Sequence, residues 1–408
     1  MQGKKSSEWN YKLPLTVSSG KQSRSNFPVE VILDFGEFLE GSTLDHNSVR
    51  LFETDLEDGG LKEIPVQFDE CSHKSRGTLT FIVRGRMETH EERRYLVYFD
   101  TLENGVKPGP QYTTAVSIKG RQAGTMILRI NEVDFLGYNF SHSNYKPYFY
   151  PLIGPSGRSL VCNSPSDHLF HHALWFAWGS VNKVDFWGEE LSPEEGRIIH
   201  LGFDQLKQGP VLAHFKTRNM WKSFDGTDFL EQTTGVKVYN LPPTERIIDL
   251  ELTIRGVSDE ISIGDAHPKW GDRKYHGLCL RGSPRLSSKL GGKIENSRGQ
   301  VNDSETCSSR AKWCDCSGPL GTEWNGLAIF DNPTNERFPT YWFTVDKMPF
   351  ISASFTHESS YTVTPTKPLG LAYRIFVHQG DAESGKVNEK FNEYVHPPSV
   401  VVGKPVEI

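Results

Sequence analysis

Alternation of apolar and polar residues with a period of two is the feature that most restricts this chain. In "IIDLELTIRG", Ile248, Leu250, Leu252 and Ile254 share one face, while Asp249, Glu251, Thr253 and Arg255 share the other. "VEVILDF" repeats the pattern with Val29, Val31, Leu33 and Phe35, and "TLTFIV" with Leu79, Phe81 and Val83. In "PVLAHFKTRNMW", Val211, Ala213 and Phe215 oppose His214, Lys216 and Arg218. Side chains alternate across a strand and one face must meet a core, so these segments read as half-buried antiparallel strands. Helical spacing is confined to "ESGKVNEKFNEYV", where Val387, Phe391, Tyr394 and Val395 fall on one side and Ser384 is placed to cap it. The 37 glycines and 24 prolines supply turns between short strands. The expectation is an all-β protein of antiparallel sandwiches, with no parallel sheet.

At 408 residues the chain exceeds one average domain. The polar "TLENGVKPGPQYTTA" after the strand-like "RRYLVYFD" marks a link. It predicts an N-terminal β-sandwich over residues 1–115 and a large β domain over residues 116–408 that carries the site. A net charge of −6 without any Lys/Arg run argues against a nucleic-acid partner. No run approaches the ~20 apolar residues of a membrane helix, so no membrane partner is expected. "MQGKKSSEWNYKLPL" lacks the apolar core of a signal peptide. The expected location is cytoplasmic as the sequence stands, or extracytoplasmic if a leader has been removed. Six cysteines are too few for a disulfide scaffold. Cys314 and Cys316, even with Cys307, lack the two-residue gap of zinc-binding thiolate pairs, so buried free thiols are expected.

Candidate chemistry concentrates in "SPSDHLFHHALWFAWGSVNKVDFWGE", with three histidines and three tryptophans. Asp167, His168, His171 and His172 suit acid–base work or metal binding, and Trp175, Trp178 and Trp187 offer apolar platforms with a polar edge. A core-filling role for the tryptophans and a strand-end role for each histidine compete with that reading. A second cluster, "GDAHPKWGDRKYHGLCLRG", contributes Asp265, His267, Trp270, Asp272, Arg273, His276 and Arg281. There Leu278 and Leu280 face one way and Cys279 and Arg281 the other. A third, "FDNPTNERFPTYWF", holds Asn332, Asn335 and Arg337 between prolines, followed by Tyr341 and Trp342. On "LGLAYRIFVHQGD", Arg374 and His378 share a strand face, with a structural ion pair as the competing role for Arg374.

Taken in order, "PYFYPLIGPSG", "DHLFHHALWFAWGSVNKVDFW", "GDAH", "GLCLRG", "GGKIENSRG", "AKWCDCSG", "GLAIFDNPTNERFPTYW" and "YRIFVHQGD" resemble the PmoA-like domain family labelled methane oxygenase PmoA, over residues 146–395. The resemblance implies a galactose-mutarotase-like supersandwich, two large antiparallel sheets with a carbohydrate site on a concave face. "IPVQFDE" in the N-terminal domain resembles the β-sandwich that precedes such domains in glycan-degrading proteins. Where that family reads D-H-P-H-H-R-G-L-W, this chain has Leu169, Phe170, His172 and Ala173, while His168 and His171 keep their places. The oxygenase label conflicts with the absence of any candidate spanning helix.

Residue types and resemblance together point to a carbohydrate-active enzyme with a glycan as its ligand. The leading expectation is a lyase cleaving a uronic-acid-containing glycan by β-elimination. His168 or His171 is the expected base, and Tyr341 or His378 the expected acid. Arg281, Arg337 and Arg374, with Asn332 or Asn335, would hold the carboxylate. Trp175 and Trp342 would stack on sugar rings, with Asp167, His172, Asp265 and His267 as further binding residues. Hydrolysis, epimerisation or mutarotation on the same fold stays open, with Asp167, Asp185, Glu189 and Asp265 as candidate carboxylates, as does glycan binding without turnover. No cofactor is required, although a divalent metal on His168, His171 and an acid is a competing expectation. Self-association is left open.

Overall fold

The alternating segments become long antiparallel strands. In the computed structural model, which describes residues 9–39, 41–54, 60–71, 75–120, 124–189, 194–258, 260–264 and 275–408, the strand Glu245–Gly256 lies between Asp228–Tyr239 and Leu369–Gln379. Its Ile248, Leu250, Leu252 and Ile254 are buried on one face. The chain is all-β, with its strands in antiparallel sheets.

By contact the chain divides into two units. The first holds the residues up to Ala115 together with Gly209–Leu212 and Asn392–Ile408. It contains a six-stranded and a three-stranded sheet, packed around Leu13, Leu15, Val29, Leu79, Phe81 and Val97. The final segment enters this unit because the strand Ser399–Val402 pairs with Tyr11–Ser18. The alternation of residues 1–115 gives no hint of that edge.

The second unit, Val116–Gln208 with Ala213–Phe391, is the large sandwich. Its nine-stranded sheet runs, in spatial order, Ser309–Arg310, Tyr341–Val345, Phe350–Ser354, Gly277–Arg281, Leu174–Ala177, Tyr148–Leu152, Val133–Asn139, Thr125–Ile130 and Val116–Lys119. Its eight-stranded sheet runs Arg197–Lys207, Leu212–Lys222, Asp228–Tyr239, Glu245–Gly256, Leu369–Gln379, Trp324–Asp331, Trp313–Pro319 and Lys293–Asn296. The sheets face one another across a shared core. Phe149, Phe176 and Leu278 from one line a void of about 30 Å³ with Thr234, Leu250 and Leu252 from the other.

The helix Val387–Val395 forms where the helical spacing predicts, and Phe391 packs on Phe330 with ring centroids 5.6 Å apart. Ser384 does not cap it. Its hydroxyl donates to Oδ1 of Asp381 at 2.6 Å, within the preceding turn. All six cysteines are free, and Cys314 and Cys316 are buried in the sandwich core. Burial pushes both thiols well above their ordinary value.

Candidate functional site

Register decides which side chains share the outward face of the nine-stranded sheet. Tyr148 lies opposite Trp175, Trp175 opposite Cys279, and Cys279 opposite Ser352, so these form one row. Arg281, opposite Phe350, points the same way one step along. Residues 162–189 fold back over this row. Cys162 N donates to the Arg281 carbonyl at 3.0 Å, Arg281 N to Ala173 at 2.6 Å, and Ala173 N to Cys162 at 3.1 Å. Ala173 adopts φ 58°, a left-handed conformation that costs a residue with a Cβ free energy. It turns the chain from the loop into the strand Leu174–Ala177. Closely spaced turns, with His168 N bonded to the Pro165 carbonyl and His171 N to that of His168, then expose Asp167 and His168 at the loop tip.

The resulting group is a series of charges. Arg281 is only 4% exposed. Its Nη2 donates to Oδ2 of Asp167 at 2.6 Å, and its Nη1 faces Nδ1 of His171 at 3.3 Å. The guanidinium has no lone pair to offer, so His171 Nδ1 is the acceptor and Nε2 carries the proton. Burial first, then the neighbouring His168, Arg281 and Lys146, push His171 down to about 2, so it is neutral. Its ring stacks on His168 at 4.6 Å and on Phe350 at 5.1 Å. Burial acts to raise the Asp167 carboxyl, but the Arg281 hydrogen bond and charge hold it below its usual value. Oδ2 of Asp167 also lies 3.4 Å from Nδ1 of His168. This contact is not aligned as a hydrogen bond, for His168 Nδ1 is buried without a partner. The His168 side chain is 36% exposed and that of Asp167 46%, so both reach solvent while Arg281 lies beneath them.

One residue further, His172 belongs to a different group. Its Nε2 meets Oε1 and Oε2 of Glu189 at 2.9 and 2.8 Å, and its Nδ1 lies 2.8 Å from Oδ1 of Asn163 and 3.2 Å from Oγ of Ser164. Lys146, 1% exposed, donates to Oε1 of Glu189 at 2.6 Å and to the Trp187 carbonyl at 2.8 Å. Tyr148 stacks on the His172 ring at 4.5 Å. Burial lowers His172 despite the Glu189 hydrogen bond. Burial would raise Glu189, but the Lys146 charge and the His172 hydrogen bond hold it low. The group fastens the base of the loop.

The other expected site residues lie elsewhere. Trp175 is buried beneath Trp187 and His171, and Trp342 is a core side chain whose Nε1 donates to the Ala311 carbonyl at 2.8 Å, so neither offers an open stacking face. Tyr341 donates to Oε1 of Glu358 at 2.7 Å and lies under the Arg310 guanidinium. Arg337 donates to the carbonyls of Phe355, Ser359 and Ser360 at 3.0, 2.8 and 3.0 Å. Asn332 accepts from Thr334 within its turn, and Asn335 bridges Asp331 and Ala372. His378 and Arg374 belong to the other sheet. His378 Nε2 meets Oδ1 of Asp315 at 2.7 Å with both groups buried. Gly326 and Gly385 make room for the ring, since a Cβ there would lie 2.5 and 2.3 Å from its atoms. Arg374 forms a two-point pair with Asp249, at 2.6 and 2.8 Å. Asp265, His267, Trp270, Asp272 and Arg273 lie outside the described residues.

The donor set at His168 and His171 does not suit a divalent ion. Stacked imidazoles direct their in-plane lone pairs along parallel planes, and the cationic Arg281 occupies Nδ1 of His171. Among the described residues, no group of three His, Cys, Asp or Glu side chains is placed to hold a metal. Sequence reasoning missed Lys146 and Tyr148. Tyr148 and Tyr150 alternate in "PYFYPL", a signal for a shared face, but a lone lysine before a strand carries none.

A model of the protein family described as "Family of unknown function (DUF6807)" matches residues 125–392, more than half of the chain. This match corrects the PmoA-like identification: the matching description assigns no function and carries no PmoA label. No curated protein matches the chain. Two solved structures from Enterococcus faecalis are similar to it. One is a protein in the Glycosyl Hydrolase Family 38, with 11% identity and a TM-score of 0.40, covering 96% of this chain and 47% of that one. The other is an alpha-mannosidase from strain V583, with 10% identity and a TM-score of 0.42, covering 97% and 46% respectively. The chain thus spans about half the length of either.

Proposed function

The chain belongs to the DUF6807 family, a family of unknown function, and from that premise we propose that it is a carbohydrate-active enzyme, a lyase that cleaves a uronic-acid-containing glycan by β-elimination at His168. The observation that carries this reading is the series Arg281–Asp167–His168, in which a buried cation holds a half-exposed carboxylate beside a part-exposed imidazole. The Asp167 charge 3.4 Å from Nδ1 favours a proton on that nitrogen, which leaves the Nε2 lone pair for the substrate, and it stabilises the imidazolium once a proton is taken. Arg281 keeps that carboxylate ionised. It becomes a positioning residue, where the sequence pointed to carboxylate binding.

In the proposed step, His168 Nε2 takes the C5 proton, the C4–C5 double bond forms and the C4–O bond breaks. The departing oxygen then receives the proton from His168, so one residue serves as base and acid. This removes the need for Tyr341 or His378, which are engaged elsewhere. The exposed Leu169 and half-buried Phe170 beside these polar groups offer the apolar surface that the faces of a sugar ring require. Hydrolysis is less favoured because it wants two working carboxylates. Asp167 is committed to Arg281, and Glu189 to Lys146 and His172.

The test is a screen of purified protein against acidic polysaccharides, following the absorbance of the unsaturated uronate together with reducing ends. A joint rise that His168→Ala abolishes supports the lyase. Reducing ends without the chromophore would assign a hydrolase. Saturable binding with neither signal would assign a glycan-binding protein.

A further inference from the structure

At its Arg197–Lys207 end, the eight-stranded sheet leaves a groove of about 260 Å³ on its outward face, crossing four adjacent strands. Alternate residues of a strand share a face, so Lys216, Thr233, Lys237, Asp249 and Glu251 all border it. We propose that this groove is a second binding site, for one or two units of a neutral sugar. The inference stands apart from the chemistry assigned to His168.

Three observations carry it. The first is a pre-set polar floor. Asp249 is held by Nε and Nη2 of Arg374 at 2.6 and 2.8 Å, and by the Tyr239 hydroxyl at 3.0 Å. A carboxylate fixed this way keeps its remaining acceptor positions in place, which lowers the ordering cost of binding. The second is charge balance. Two lysines and two carboxylates border the groove, with threonine hydroxyls that both donate and accept. With Asp249 paired to Arg374, Lys216, Lys237 and Glu251 are interleaved across the groove, so a charged ligand of either sign meets opposition as well as attraction. Sugar hydroxyls donate to the carboxylates and accept from the lysines. The volume lies just under the roughly 300–1,000 Å³ of ordinary small-molecule sites, room for one or two rings.

The third is Gly235, at the centre of the groove in the twelve-residue strand Asp228–Tyr239. Its φ is not in the left-handed region. A Cβ there would meet nothing closer than the Glu251 Cβ at 3.7 Å, an ordinary contact. Neither the backbone nor the packing demands glycine, and inside a strand glycine is destabilising relative to alanine. What it does here is keep the trough open, as glycine does where a ligand approaches a strand closely.

The test is an amide chemical-shift titration of the full chain with glucose, galactose and mannose, each to roughly 100 mM, enough to reveal a millimolar Kd. At least one sugar should give saturable shifts at Lys216, Gly235 and Glu251, with the same midpoint in wild type and His168→Ala. Gly235→Val, which suits a strand, should keep the fold without lowering its melting temperature while weakening binding at least tenfold. Absence of saturable shifts at these amides with all three sugars would overturn the proposal, as would undiminished binding in Gly235→Val. Loss of lyase activity without loss of these shifts would sink only the elimination reading.

Discussion

On the nine-stranded sheet the outward row Tyr148, Trp175, Cys279, Ser352 is roofed by residues 162–189, and its central members are buried. On the eight-stranded sheet the outward Lys216, Glu251 and Thr253 stay in water. Both faces arise from the same strand alternation. The difference is the roof, which removes water from whatever polar group lies beneath it. Under it His171 is held neutral and Arg281 needs both Asp167 and His171. On the bare face the charges are spread across neighbouring strands and presented to solvent. Covered polarity here is consumed in pairs, while Asp167 and His168 at the loop tip reach solvent.

The sharpest way to break that contrast is to remove the cation under the roof. Arg281→Met leaves Asp167 without its partner, and turnover by His168 should fall, by less than the roughly 10²–10⁴-fold expected when the base itself is removed. Urea unfolding should show a loss of about 2 kcal/mol, below the figure for a fully buried pair because Asp167 is half exposed. Unchanged turnover would remove Arg281 from the mechanism.

Titration sharpens the contrast next. Asp331, at the end of the strand Trp324–Asp331, is raised by burial to about 7. The folded state therefore keeps a proton that the unfolded chain releases near pH 4, and stability falls as the pH rises from about 4 to about 7. Asp331→Asn should remove that contribution, worth about 4 kcal/mol across the window. His171 works in the opposite sense. Held near 2, it refuses a proton that an unfolded imidazole accepts, so stability also falls as the pH drops below about 6.5. His171→Phe should remove the loss that begins below about pH 6.5. Between about pH 4 and about pH 6.5 that loss opposes the Asp331 contribution, so the two variants should shift the curve in opposite directions there. Stability curves of the two variants that cannot be told apart would contradict both assignments.

Smaller effects belong to the open face. Arg374→Met should cost about 1 kcal/mol, because its partner Asp249 keeps the Tyr239 hydroxyl, and turnover should not change. A turnover defect would link the two faces. Gly235→Val should raise stability by about 0.5 kcal/mol in thermal unfolding, the ordinary gain when glycine leaves a strand interior. A clear loss would mean that the chain needs glycine there after all.

The strands were legible because alternation is local. "IIDLELTIRG", "GLCLRG" and "LGLAYRIFVHQGD" each place their residues on the faces that their spacing predicts. The chemistry of the histidine stretch was legible only as a collection. His168, His171 and His172 look equivalent in the sequence, yet one is half-buried at the loop tip, one is neutral beneath it, and one clamps Glu189. Tyr341 and Arg337 were expected at the same site because loops between prolines present polar groups. Arg337 instead satisfies three backbone carbonyls, a demand that composition does not reveal.

By itself the sequence determined the all-β class, the outward and inward faces of the strands, and the stretch from which the candidate site is built. Each of these depends on neighbours along the chain. Tertiary structure alone decided that Arg281 meets His171, 110 positions away, and that Asp249 takes Arg374 while Asp315 takes His378. Those pairings follow from strand register and from which groups lose their water. Both are set by the packing of distant segments, which leaves no periodic trace in the chain.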